Sequence, residues 1–132
     1  MSENDIIELI NKAKDFINSS KLLYNAGDYD STASRVYYAM FYAVEAALFT
    51  KKLKSKSHGN IIALFGAHFI KTNIFPKEMG RQINRAYEKR QIGDYGFKKR
   101  IEKNVAEELL SKGNEFVEKI IDYLKQNNYF KL

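Results

Sequence analysis

The sequence predicts an all-α protein, an antiparallel up-and-down four-helix bundle with an additional short helix. Apolar residues recur at steps of three and four along most of the chain, and no run alternates at a period of two; that stripe is what an amphipathic helix turns toward a core. The stretches between these runs are short, which makes consecutive helices antiparallel neighbours. The length of 132 residues, 45% of them apolar and 29% charged, suits a single ordered helical domain over 1–132, able to bury roughly two-thirds of its unfolded surface.

The first helix spans about Asp5 to Tyr24, with Ile6, Leu9, Ile10, Ala13, Phe16, Ile17 and Leu23 on one stripe. Gly27 is its natural stop, and Asp28 or Asp30 can cap the second helix, about Tyr29 to Thr50, because a short side-chain oxygen accepts from the free amides of a first turn. A basic loop, Lys51-Lys52-Leu53-Lys54-Ser55-Lys56, leads to Ser57 as cap of a third helix ending near Thr72. Pro76 opens a fourth helix, where its missing N–H costs nothing, and that helix is expected to end at Lys89 or Arg90. Gln91 to Arg100 has two glycines and no period, and reads as a loop; the last helix spans about Glu102 to Gln126, with Val105, Leu109, Phe116, Ile120 and Tyr123 inward.

Composition removes whole classes of function. Without cysteine there is no disulfide frame, Cys-ligated zinc, iron–sulfur cluster or thiol catalysis. His58 and His68 stand ten apart without a His-Glu-x-x-His pattern, so no metal and no cofactor is expected. The longest apolar run, Val36 to Val44, falls well short of the ~20 residues of a bilayer helix, and the acidic start Met1-Ser2-Glu3-Asn4-Asp5 is no signal peptide. The expectation is a cytoplasmic protein without membrane contact. Its net charge of +6 is concentrated in residues 51–100, where thirteen Lys and Arg face Glu78, Glu88 and Asp94. Such a field attracts phosphate-bearing or acidic partners; it is equally what a solvated face looks like.

Two helices carry more than packing. On the second, Ala33, Val36, Met40, Ala43 and Ala47 form the apolar face, while Ser31, Arg35, Tyr38, Tyr42, Glu45 and Phe49 line the other side. Aromatic groups all round place this helix centrally, with Arg35 and Glu45 partly buried and in need of partners. A structural seam and a pocket or subunit contact both fit that pattern. On the fourth helix Met79, Ile83, Ala86 and Arg90 share the apolar stripe, and Lys77, Arg81, Arg85 and Lys89 form a basic face. Arg90 therefore points at the core, and Asp94, four residues on, is expected to close a buried charge cluster with Arg35 and Arg90, since guanidinium and carboxylate pair bidentately.

These segments resemble the HEPN domain family. The resemblance rests on Ser34-Arg35-Val36-Tyr37-Tyr38-Ala39-Met40-Phe41-Tyr42-Ala43-Val44-Glu45-Ala46-Ala47-Leu48, on Lys56-Ser57-His58-Gly59, on Phe69 through Pro76 and on Arg90-Gln91-Ile92-Gly93-Asp94-Tyr95. It implies a four-helix core with an extra short helix, a homodimer, and a minimal nucleotidyltransferase as genomic neighbour, in pairs that often act as toxin and antitoxin. Many members are metal-independent ribonucleases with an arginine, four to six residues and then a histidine, the histidine suited to proton transfer and the arginine to phosphorane charge. Arg90 matches the arginine; the three histidine positions hold Tyr95, Gly96 and Phe97. A tyrosine with a pKa near ~10 is a poor base at neutral pH. A binding role for the same cleft remains, with Arg35 and Arg90 for phosphate and Tyr38 and Tyr95 for stacking or hydrogen bonds.

His58, at a helix start among lysines, reads either as an anion contact or as part of a capping turn. Tyr95, Phe97, Lys98, Lys99 and Arg100 interleave aromatic and basic groups, which suits single-stranded nucleic acid or an acidic partner. Three functions follow: a nucleotide- or RNA-binding partner of a nucleotidyltransferase, a ribonuclease using His58 or a histidine from another subunit, and a dimeric scaffold without ligand.

Overall fold

The computed structural model describes residues 3–95, 97 and 100–129, all helix and connecting turn with no strand among them. Four long helices, α1 (Glu3–Asn25), α2 (Tyr29–Phe49), α4 (Lys77–Tyr95) and α5 (Lys103–Gln126), run up and down; α3 (His58–Phe65) is short and continues as a π-helical turn, Gly66–Ile70. Gly27 makes the α1–α2 turn at φ +81°, a conformation that costs glycine nothing. Of the two candidate caps, Asp28 takes the role, its carboxylate accepting from the Ser31 amide at 3.1 Å. Asp30 instead crosses to the other connection, accepting from the Ile101 amide at 2.8 Å. That bond fixes where α5 begins.

α2 is central, packed against α1, α4 and α5. Val36, Tyr37, Ala39, Ala43, Val44, Ala46 and Ala47 are all fully buried. Its alanines let the neighbouring helices approach, and Gly113 lets α5 lie directly on it: a Cβ there would overlap Val36. At the far end Phe65, Phe69 and Phe75 stack with Phe116 and Tyr123, centroids 5.3–5.8 Å apart.

Two expectations need correction. The third helix does not run as one α-helix to Thr72: from Gly66 it widens, and the Lys71 amide donates five residues back to the Gly66 carbonyl at 2.9 Å. Residues 91–95 are not loop but the last turn of α4. Gly93 does not stop that helix because it lies where α4 touches the start of α2; a Cβ would stand 2.7 Å from the Asp30 carbonyl oxygen. Here glycine serves close approach, and helix and contact are kept together. No helix of the described residues is long and apolar enough to cross a membrane.

Candidate functional site

The site gathers at the C-terminal half of α4, where it faces the middle of α2 and the start of α3. The last turn of α4 carries Arg90 and Asp94 on one side, and Arg90 Nε donates to Asp94 Oδ2 at 3.0 Å. The Arg90 side chain is only 13% accessible. Its guanidinium carbon lies 5.0 Å from the centre of the Tyr38 ring, 5.5 Å from Tyr37 and 5.9 Å from Tyr95. Its Nη2 is 3.5 Å from the Tyr95 hydroxyl, at the limit of a hydrogen bond. Three aromatic faces and one carboxylate thus hold a single cation. Burial pulls the guanidinium pKa down, but Tyr38, Asp94 and Tyr95 outweigh it and leave the group above its ordinary value, firmly charged.

His58 belongs to the same cluster. Ser57 caps α3, accepting from the Asn60 amide at 3.3 Å, and so sets the first turn with the His58 ring against α2. The imidazole stacks on Phe41 at 4.1 Å and its Nδ1 is 2.9 Å from the Tyr37 hydroxyl. Burial lowers its pKa and Arg90 lowers it further, so the ring is neutral at pH 7. Tyr37, buried beneath Arg90 and touching Tyr87 at 5.5 Å, is pushed up by that burial and stays a phenol. The capping turn and the cluster are therefore one feature: the cap aims the histidine inward.

Arg35 departs from expectation. It is exposed, with its guanidinium 5.0 Å above the Phe16 ring on the α1 side of α2. Asp94 pairs with Arg90, and the three-member buried charge cluster does not form. A ring face supplies what a carboxylate was expected to supply, and the long Arg35 stem reaches water from a helix whose backbone is covered. Phe16 links the two arginines indirectly, touching Tyr38, which lies under Arg90. Tyr42 packs on Phe16 and lies under Lys12 Nζ at 4.8 Å. Glu45 is half-buried with a raised pKa, burial outweighing Lys12.

Beyond the cluster, Tyr95 is 69% exposed and Phe97 83%. Arg100 pairs with Asp30 at 3.4 Å from an otherwise open side chain. Lys98 and Lys99 lie outside the described residues. On the basic face Lys77 and Arg81 are exposed, Lys89 is half-buried, and Arg85 pairs with Glu108 at 3.1 Å. Sequence reasoning missed Tyr37, Phe41 and Tyr87 as the bed joining His58 to Arg90. The available signal was the Tyr37 hydroxyl on an apolar stripe, which required a partner.

The bundle of four long helices and one short one fits a HEPN domain, and the HEPN domain model matches residues 6–126. The chain belongs to the HEPN domain family. It is 41% identical over 129 residues to "Putative toxin MJ0142" of Methanocaldococcus jannaschii, covering 98% of this chain and 88% of that one. A UPF0332 protein of Thermotoga maritima is 35% identical over 118 residues, 87% of this chain and 89% of the other. "Putative toxin MJ0605" of M. jannaschii is 32% identical over 122 residues, 92% of this chain and 90% of its own.

Proposed function

We propose that this protein is the helical member of a toxin–antitoxin-like pair, a cytoplasmic homodimer whose partner is a minimal nucleotidyltransferase, and that it binds a phosphate of nucleotide or RNA at Arg90. The toxin names of two relatives support the first part. One observation carries the second: a guanidinium fixed by Asp94 through Nε, while Nη2 makes only a marginal contact with the Tyr95 hydroxyl. A phosphate oxygen gains a charge-assisted bond by replacing that contact. The exposed Tyr95 ring stands beside it for a base to stack on, and Arg35 adds positive potential from the neighbouring surface. Titration with a labelled single-stranded oligoribonucleotide tests the reading: binding should weaken steeply with salt and be lost in Arg90→Ala. Absence of binding at low salt leaves the scaffold. Co-expression with a minimal nucleotidyltransferase should yield a complex stable to gel filtration.

A second reading has its own observation, the neutral imidazole of His58 in the Arg90 cluster. With Nδ1–H donating to the Tyr37 oxygen, the opposite ring nitrogen is able to take the ribose 2′-hydroxyl proton. The 2′-oxygen then attacks phosphorus, the P–O5′ bond breaks, and O5′ leaves with a proton from water, Arg90 bearing the phosphorane charge. Cleavage of total RNA in a chelator, abolished by both His58→Asn and Arg90→Ala, supports this reading; intact RNA rejects it.

A further inference from the structure

A separate hollow of about 150 Å³ opens between α4 and α5, on the basic face and outside the Arg90 cluster. It exists because both helices present almost no side chain there: Ala86 has only a methyl, and Gly113 is held free of a Cβ by its contact with Val36. Its floor is the buried Met40 and Leu109, so it is apolar below. The hollow opens to solvent at a charged rim that includes Glu78 and Glu108, and its apolar lower part has room for about one benzene-sized ring. The rim is different. Arg85 is engaged by both oxygens of Glu108, at 3.1 and 3.4 Å, and forms a closed wall. Arg81 also lines the hollow, and none of the described ion pairs uses it. Lys112, across the opening on α5, has only a 4.0 Å contact with Glu115. A planar fork next to a ring-sized apolar floor matches a carboxylate carried directly on an aromatic ring.

We propose that this α4–α5 hollow binds a small aromatic carboxylate, its ring over Met40 and Leu109 and its carboxylate on Arg81 with support from Lys112. Of the three methionines, Met40 floors the hollow and Met79 is buried away from it, so a protein labelled at the methionine methyls reports occupancy locally. Titration with benzoate should move the Met40 methyl resonance saturably and leave Met79 in place. Toluene and acetate, each with half of the ligand's chemistry, should each bind far more weakly. Arg81→Ala should weaken benzoate roughly tenfold, the worth of one charge-assisted contact. Gln82→Trp, a rim change that fills the space, should abolish the shift with helicity unchanged by circular dichroism. Arg90→Ala should leave it intact, which separates this site from the phosphate site. A Met40 resonance unmoved by millimolar benzoate overturns the proposal, and so does a shift that acetate reproduces or that survives Arg81→Ala undiminished.

Discussion

Two aromatic clusters sit at the two ends of α3, and they use similar ring spacings for different ends. At one, three phenylalanines, Phe65, Phe69 and Phe75, stack at 5.6–5.8 Å. At the other, Tyr37, Tyr38, Tyr87 and His58 meet at 5.4–6.0 Å, each with a polar handle. A cation reaches both. Lys51 Nζ lies 5.2 Å over Phe69, but from an exposed side chain; Arg90 is half-buried and fixed by a carboxylate. Ring packing alone therefore builds a corner of the core. The same packing around a largely covered, immobilised charge gives a preorganised donor that needs little rearrangement, which is what the phosphate site proposed above would use.

That contrast is most strongly broken at the phenylalanine corner. Phe69→Ala should cost about 3–5 kcal/mol of stability, read by urea unfolding, because a fully buried ring leaves a cavity; oligonucleotide affinity per folded molecule should not change. Gly93→Ala comes next, at roughly 1–3 kcal/mol, since the Asp30 carbonyl that the new methyl meets is backbone and cannot swing aside. It should also loosen the Arg90 turn and lower oligonucleotide affinity. Arg90→Lys sharpens the comparison: about 1 kcal/mol of stability is lost with the ring stacking, yet binding should fall roughly tenfold, because an ammonium cannot hold Asp94 and a phosphate with one planar fork.

The smallest effect is the pH dependence of the tyrosine–histidine cluster. His58 is depressed in the folded state by burial and by Arg90, so the unfolded chain binds its proton first. Stability is then full above the ordinary histidine value near ~6.5 and declines as pH falls through the folded value. Urea midpoints measured from pH 7.5 downward should drift lower in the parent protein. In His58→Phe that part of the drift should vanish, while the phenylalanine corner contributes nothing to it.

Much of the architecture was legible because its causes are local. Gly27, Ser57 and Pro76 mark turns and starts through backbone chemistry that acts within a few residues, and the helical stripes follow from periodicity. The end of α4 was misread for a reason that is not local: a glycine breaks helices on average, but Gly93 meets Asp30 from sixty-three residues away. Arg90 was readable as an inward arginine from its place on the apolar stripe, and the four-residue step put Asp94 within its reach, though as one member of a cluster with Arg35 that does not form. Arg35 was not, because whether a ring or a carboxylate neutralises it depends on how α1 lies across α2.

The order of the helices, their antiparallel course and the reach of Asp94 to Arg90 follow from the chain alone, since each rests on contacts within a turn or on the period of one segment. Three features need the assembled bundle: His58 joins Arg90 through Tyr37, Arg35 stays outside, and a ring-sized hollow remains between α4 and α5. Those depend on the distances between helices, which are set by side-chain volumes summed over the whole core, and no window of the sequence contains that sum.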